Sequence, residues 1–219
     1  MPSPLVELSA LGVRFGRTPV LRDLSLVVEP GTSICVVGPN GSGKTTLLRV
    51  VATLTSPSHG SGFVLGARLG TGGVYPVRQA IGLIGHTPAL YPQLTLGENL
   101  EFVARAAGVQ RERVEWALGL VGLTGASRRR VEHASWGMQR RVEFARLLMT
   151  EPRLVLLDEP HSGLDAQAGD LVRLVVRQVL GRQGAAVMAS HHPEPLAPLA
   201  DRMYRLEGGA LSLMSQVPA

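Results

Sequence analysis

The feature that most constrains the fold is a glycine-rich stretch of eight residues, between an apolar run at residues 34–37 and a helical pattern at residues 45–54. Its sequence is Gly38-Pro39-Asn40-Gly41-Ser42-Gly43-Lys44-Thr45. Glycines let such a loop wind with its N–H groups pointing inward, and the N-terminus of the following helix adds partial positive charge. A loop of this kind after a buried strand predicts a phosphate-binding cradle in an α/β domain. We call residues 38–45 the phosphate loop.

Lys44 is the only lysine among the 22 basic residues of the chain. A compact, flexible ammonium fits a tight anion nest where the planar guanidinium of arginine does not. We therefore expect Lys44 to reach the β- and γ-phosphates of ATP and the Thr45 hydroxyl to bind Mg²⁺. All eight residues of the phosphate loop, and Thr46 after it, are predicted to contact the nucleotide.

Two acidic residues, Asp158 and Glu159, follow an apolar run at residues 154–157. A carboxylate at the C-terminal end of a strand lies where open α/β sheets bind their ligands. Asp158 suits the Mg²⁺ shell, and Glu159 suits a base that polarises the attacking water. Together with the phosphate loop, this pair predicts hydrolysis of ATP.

Strand and helix patterns alternate along the chain. Strand patterns occupy residues 5–8, 24–28, 34–37, 81–84, 154–157 and 186–189, and a hairpin pattern covers residues 203–206 and 211–214. Helical patterns cover residues 45–54, 96–148 and 171–180. This alternation predicts an α/β fold with a mostly parallel sheet. The phosphate loop in that context is typical of the P-loop NTPase class. The long helical stretch is expected to form a subdomain, residues 87–149, inserted into a core of residues 1–86 and 150–219.

Composition narrows the possible partners. The net charge is +5, but aromatic residues are only 4% of the chain, which is poor material for stacking bases, so no nucleic-acid partner is expected. The excess arginines are interpreted mainly as a solvated surface. No apolar run approaches the roughly 20 residues that span a bilayer, and the N-terminus lacks a signal-peptide pattern. Cys35, alone in an apolar run, is expected to be a buried core residue.

Read together, these motifs resemble the ATP-binding-cassette (ABC) family of ATPases, and the resemblance covers essentially the whole chain. Phe15 stands where that family places an aromatic that stacks on adenine. Ser135-Trp136-Gly137-Met138-Gln139 stands where it has its signature motif, and Ser162-Gly163-Leu164-Asp165 matches the loop after the catalytic acid. His191 matches the histidine that contacts the γ-phosphate. We call residues 134–138 the signature segment.

The resemblance implies a mechanism. Two copies, expected to be a homodimer, pair head to tail with ATP between the phosphate loop of one and the signature segment of the other. Ser135 and Gly137 would then present a hydroxyl and backbone N–H groups to the partner's γ-phosphate, and Asp165 would also contribute to this site. ATP closes the dimer, hydrolysis releases it, and this cycle drives transmembrane transporter subunits. The implied location is cytoplasmic, peripheral on the inner face of the cell membrane.

Two regions depart from the family pattern. The family places a glutamine after the strand at residues 81–84, where it touches the metal and faces the membrane subunit. Here His86 stands at that place, and its imidazole can donate or accept as an amide does. In the signature segment, Trp136 replaces the first glycine of the family motif, and Ala134 and Met138 replace its usual leucine and glutamine. Ser135 and Gly137 are retained.

The phrases Gly85-His86-Thr87-Pro88 and His191-His192-Pro193 are similar to those of the haem-exporter ATP-binding subunit of bacterial cytochrome c maturation. Haem export is therefore the expected transport function. The alternatives are the ATPase of another small exporter, a soluble ABC protein acting on ribosomes or DNA, and a non-hydrolysing regulatory cassette. The segment at residues 94–100 and the helices after it are expected to receive a helix of the membrane subunit.

Overall fold

The computed structural model describes residues 3–161 and 166–216. Within these residues the strands are β1 (Val6–Phe15), β2 (Thr18–Val28), β3 (Ser33–Val37), β4 (His59–Val64), β5 (Ala67–Arg68), β6 (Ile81–Ile84), β7 (Leu154–Asp158), β8 (Ala185–Ser190), β9 (Arg202–Glu207) and β10 (Ala210–Gln216). The α-helices of the same residues are α1 (Lys44–Val51), α2 (Leu96–Ala107), α3 (Arg111–Leu120), α4 (Trp136–Thr150) and α5 (Ala166–Leu180).

A six-stranded sheet carries the centre of the fold, in the order β10-β9-β3-β8-β7-β6. Its neighbours pair in parallel except β9 and β10, which form the predicted antiparallel hairpin. The α/β class and the mostly parallel sheet are thus confirmed. Strands β3 and β7 are buried along their whole length, as parallel strands covered on both faces must be.

Alternate residues of the central strands pack into two separate hydrophobic cores, because successive side chains of a strand point to opposite faces of the sheet. Ile34 and Val36 pack with α1 and the strands of the second sheet. Cys35 and Val37 pack with the helices α2 to α5. Burial raises the pKa of the Cys35 thiol to about 12, so the expectation of an inert core cysteine agrees with the structure.

A second, antiparallel sheet of four strands, β2-β1-β4-β5, was not predicted. The strand patterns at residues 5–8 and 24–28 mark only parts of two longer strands, β1 and β2. Strand β4 lacks an apolar alternation because Gly60 and Gly62 occupy it. These glycines are required by packing, since a Cβ on Gly60 would lie 2.2 Å from the carbonyl oxygen of Ala10.

The helices α2, α3 and α4 lie between β6 and β7, and α4 extends two residues past the stretch predicted to be helical, to Thr150. The proposed division into a core and an inserted subdomain stays a prediction. Helix α1 ends earlier than predicted, at Val51, because Thr53 adopts a left-handed backbone with φ of 61°. No helix within the described residues is long and apolar enough to cross a membrane.

Candidate functional site

The phosphate loop joins the buried end of β3 to the start of α1. Its winding needs glycine: Gly43 caps α1 with φ of 106°, and a Cβ there would lie 2.9 Å from Leu21 Cδ2. A Cβ on Gly38 would lie 2.3 Å from the carbonyl oxygen of Leu206. The loop therefore follows a path that side chains would block, and it places the N-terminus of α1 at the carboxyl edge of the sheet, where anions are favoured.

Lys44 is buried beneath the loop, with 7% of the residue exposed. Its Nζ donates to the carbonyl oxygens of Gly38 (2.8 Å) and Pro39 (3.1 Å) and lies 3.9 Å from Glu159 Oε1. The ammonium is thus held inside the loop by weak neutral acceptors. Phosphate oxygens, which carry charge, are stronger acceptors for the same donors.

Asp158, the last residue of β7, faces the first turn of α1. The Thr45 hydroxyl donates to Asp158 Oδ2 over 2.7 Å. Burial raises the pKa of Asp158, and this hydrogen bond acts in the opposite direction. A hydroxyl and a carboxylate are hard oxygen donors that fit Mg²⁺, which proteins bind through one or two such groups together with substrate phosphates. Among the described residues no group of three or more His, Cys, Asp or Glu side chains could hold a metal alone.

Glu159 follows Asp158 in a left-handed conformation, with φ of 47°. Its Oε1 accepts hydrogen bonds from the backbone N–H of His191 (2.9 Å) and from His191 Nδ1 (2.8 Å). Its Oε2 accepts from the Ser190 hydroxyl (2.8 Å). Burial alone would raise the pKa of Glu159, but the bonds from His191 and Ser190 outweigh it and lower that pKa. The carboxylate is therefore ionised at neutral pH and suited to accept a proton.

These groups line one cavity of about 470 Å³. Ten of the predicted residues form its wall together with Val20: Asn40, Gly41, Gly43, Lys44, Thr45, Thr46, His86, Asp158, Glu159 and His191. Gly38, Pro39 and Ser42 belong to the loop but do not line the cavity. Phe15, at the end of β1, is 55% exposed and also lies outside the lining. Asp165 lies outside the described residues.

The signature segment does not reach this cavity. Ser135 caps α4, and its Oγ accepts a hydrogen bond from the Met138 N–H over 3.3 Å. Gly137 sits in the first turn, where a Cβ would meet no heavy atom of the described chain within 4 Å. Neither residue lines the cavity. Within one copy the two predicted halves of the site are therefore separate.

Three polar residues near the acids were not predicted. Ser190 holds Glu159, as described above. Arg140 is 1% exposed and pairs with the equally buried Glu143, 3.2 Å away. The expectation that arginines form a solvated surface is thus wrong for Arg140. A charged pair spaced by three residues inside a helical apolar run is the sequence signal that could have marked a buried pair.

Comparison with known proteins identifies the class of this fold and site. Residues 21–162, more than half of the chain, match the family described as ABC transporter. The chain therefore belongs to the ABC transporter family and has the ATP-binding domain of that family. A solved structure titled "Structure of ATP binding subunit of ABC transporter" is 27% identical, with a TM-score of 0.85 over 97% of this chain and 90% of that one. The fold is also that of "the ATP-binding cassette MJ0796 bound to ADP and Pi", at 22% identity and a TM-score of 0.87 over 98% of this chain and 99% of that one.

Curated relatives divide between two named functions. "Fe(3+) ions import ATP-binding protein FbpC" of Streptomyces coelicolor is 39% identical over 97% of this chain and 62% of that protein. "Cytochrome c biogenesis ATP-binding export protein CcmA 2" of Cupriavidus metallidurans is 36% identical over 89% of this chain and 93% of that protein. The chain spans 57–62% of the length of the iron-import relatives. The comparisons support the ABC class and do not single out the haem-exporter subgroup.

Proposed function

We propose that this chain hydrolyses ATP to drive a membrane transporter. The observation that carries the proposal is the meeting of an anion-binding loop, a hydroxyl–carboxylate pair and an ionised carboxylate in one cavity. The triphosphate lies in the phosphate loop, where Lys44 exchanges its carbonyl partners for phosphate oxygens. Thr45 and Asp158, with His86 in the same cavity wall, would hold Mg²⁺, which would neutralise charge on the phosphates.

Glu159 performs the proton transfer in this proposal. Its carboxylate orients a water molecule and accepts a proton as the water oxygen bonds to the γ-phosphorus. The bond from that phosphorus to the ADP oxygen breaks at the same centre. His191 and Ser190 fix the carboxylate in place and keep it ionised before the reaction. His191 Nδ1 carries the hydrogen of its bond to Glu159, because an ionised carboxylate only accepts.

We further propose that the active form is a head-to-tail dimer. One copy supplies its cavity and the other supplies Ser135 and Gly137 at the N-terminus of α4. The open space beside Gly137 supports this arrangement, since no described residue outside the local helix backbone lies within 4 Å of a Cβ placed there. Phe15, at the exposed end of β1, and Asp165, in the sequence after Glu159, remain proposed nucleotide contacts.

A groove of about 350 Å³ is the proposed site for a helix of the membrane subunit. It lies beside β6 and α2, and its lining is largely apolar. Tyr91 and Phe102 stand at its edge in an edge-to-face contact, with ring centroids 5.2 Å apart and about half of each residue exposed. Its floor is fixed by Asn99, whose side chain bonds the backbone N–H and C=O of Tyr91. Apolar grooves of this kind accept the apolar face of a partner helix. With such a partner, the chain would lie at the cytoplasmic face of the membrane.

Two cargo classes are carried forward. Haem export follows from the sequence phrases around His86 and His191, and the Cupriavidus relative that bears a cytochrome c biogenesis name matches over nearly its whole length. Fe(3+) import is favoured by the 39% identity to the Streptomyces protein. Co-purification from native membranes with tagged Glu159→Gln protein and ATP separates them through the bound membrane subunits. Ribosomal or DNA-bound material without membrane protein would reject both.

The test of hydrolysis is Glu159→Gln, with Glu112→Gln on the exposed side of α3 as its matched control. Hydrolysis by the glutamine variant should fall about 10²–10⁴-fold, because the base is lost while the phosphate loop is intact. It should still bind ATP and accumulate as a dimer in light scattering. The control should hydrolyse at the wild-type rate. Full activity in Glu159→Gln would show that another group is the base.

A further inference from the structure

Arg140 and Glu143 form a buried pair that touches both the catalytic end of β7 and the segment after β6. Each side chain is 1% exposed. Arg140 Nη2 donates to the carbonyl oxygens of Asp158 (3.0 Å) and Glu159 (3.3 Å). Arg140 Nη1 donates to the carbonyl oxygen of Gly85, the residue before His86.

Glu143, about one helical turn after Arg140 on α4, extends the same hydrogen-bond network. Its Oε2 accepts from Arg140 Nη1, and its Oε1 accepts from the backbone N–H of Ala89 over 3.1 Å. The pair therefore binds both ends of residues 85–89, the segment that carries His86 into the cavity. Ala89 itself lines the groove proposed for the membrane subunit. Two residues of α4 thus connect the groove with the backbone of both catalytic acids.

This pair is not required to fill the core. Buried ion pairs are often replaceable by apolar side chains of similar size without loss of stability, because desolvation offsets their attraction. Burial raises the pKa of Glu143, because the loss of water disfavours its ionised form. Arg140 also makes contacts beyond its ion pair with Glu143. Its three other described partners are the backbone carbonyls of Gly85, after β6, and of Asp158 and Glu159, at the end of β7.

We infer that Arg140 and Glu143 are positioning residues, which hold residues 85–89 and the Asp158–Glu159 backbone in register and transmit displacement of the groove to the catalytic acids. This inference rests on the proposed ATPase function. The rigid fork of arginine suits the role, because its two terminal nitrogens reach separate groups at once. A shift of Ala89 or Gly85 then moves the carbonyls that frame Glu159.

The decisive variant is the double substitution Arg140→Met/Glu143→Leu, which keeps an apolar core but removes every polar connection. We expect kcat per ATP-binding site to fall at least tenfold, with the Kd for ATP within twofold of wild type. Sites are counted by titration with a fluorescent ATP analogue. Hydrogen exchange of peptides covering residues 85–89 should rise in parallel. The matched control is Arg113→Met, which removes an arginine bonded to the Leu148 carbonyl and Glu151 at the far end of α4, and should leave kcat within twofold.

A double variant with normal kcat would overturn the inference. If the double variant does not bind ATP, Arg140→Lys decides, because lysine keeps the charge beside Glu143 but cannot reach Gly85 and Asp158 together. The same tenfold fall is expected, and an unchanged rate would overturn the inference. Failure of the proposed function itself is distinct: wild-type protein would then bind ATP without hydrolysing it.

Discussion

The phosphate loop and the signature segment each place glycine at the start of a helix, but for different reasons. In the phosphate loop, the chain itself demands glycine: Gly43 has φ of 106°, and its missing Cβ leaves room for Leu21. In the signature segment, Gly137 is an ordinary helical residue with open space beside it. A glycine inside a helix costs stability relative to alanine. The fold therefore explains Gly43 but leaves Gly137 unexplained.

The difference teaches how the two half-sites are built. The phosphate loop is completed inside one chain, where Lys44 bonds the carbonyl oxygens of Gly38 and Pro39 and Thr45 bonds Asp158. The signature segment keeps its donors outward, at an uncovered helix N-terminus. Since packing among the described residues gives Gly137 no reason to be glycine, we infer that a ligand approaches it from outside. In the proposed dimer, that is the γ-phosphate bound by the partner.

The largest effect is expected for Thr45→Val in the phosphate loop, on the apparent affinity for Mg²⁺. Valine keeps the shape of threonine but removes the hydroxyl that bonds Asp158, so the apparent Mg²⁺ affinity should fall by about 10–100-fold or more. Hydrolysis rates titrated with MgCl₂ measure the change. Thr45→Ser restores the hydroxyl and should restore the midpoint. An unaltered Mg²⁺ midpoint in the valine variant would remove Thr45 from the metal site.

Gly43→Ala should damage the fold and the site together. The left-handed backbone and the contact with Leu21 at 2.9 Å make the methyl group strained. We expect a loss of about 1–3 kcal/mol in the free energy of unfolding, with weakened ATP binding. Urea unfolding and nucleotide titration give the two numbers. If the variant unfolds with the wild-type free energy, glycine at position 43 is needed for nucleotide binding and not for folding.

Gly137→Ala should raise the stability of the fold while lowering the rate of ATP hydrolysis. Alanine favours the helix, so the free energy of unfolding should rise by about 0.5–1 kcal/mol. Hydrolysis should nevertheless fall, on the order of tenfold, because the methyl group narrows the approach to the backbone N–H groups. The pair of measurements is thermal unfolding and steady-state ATPase rate. An unchanged hydrolysis rate would show that Gly137 is not needed for a ligand from the partner copy, and the proposed difference from Gly43 would be wrong.

The smallest effects concern two helix caps of similar geometry. Thr95 caps α2 and accepts from the Glu98 N–H over 3.1 Å, while Ser135 caps α4 and accepts from Met138. Replacing either by alanine should cost about 1 kcal/mol of stability. Only Ser135→Ala should also slow hydrolysis in the folded protein. Equal, purely structural losses in both variants would argue against a role for Ser135 across the dimer.

Much of the fold could be predicted because local patterns agree with it. The strand pattern at residues 81–84 coincides with β6, and the hairpin around Gly208 and Gly209 is present as β9 and β10. The antiparallel sheet was missed because its strand β4 contains glycines that only packing against β1 explains. The predicted end of α1 was three residues too long, since no local signal marked the turn at Thr53.

The sequence by itself determined the phosphate loop and the position of the two acids at the end of a buried strand. Their residue types, order and strand–loop–helix context are local properties, and the structure brings those residues into one cavity. Only the tertiary structure decided which groups restrain the acids. Ser190 and Arg140 lie 31 and 19 positions from Glu159 in the chain, and they meet it only because β7 and β8 pair and α4 packs beneath their ends. Glu143 acts on the same end of β7 through its pairing with Arg140. Such contacts depend on the path of the whole chain, and a local pattern cannot specify them.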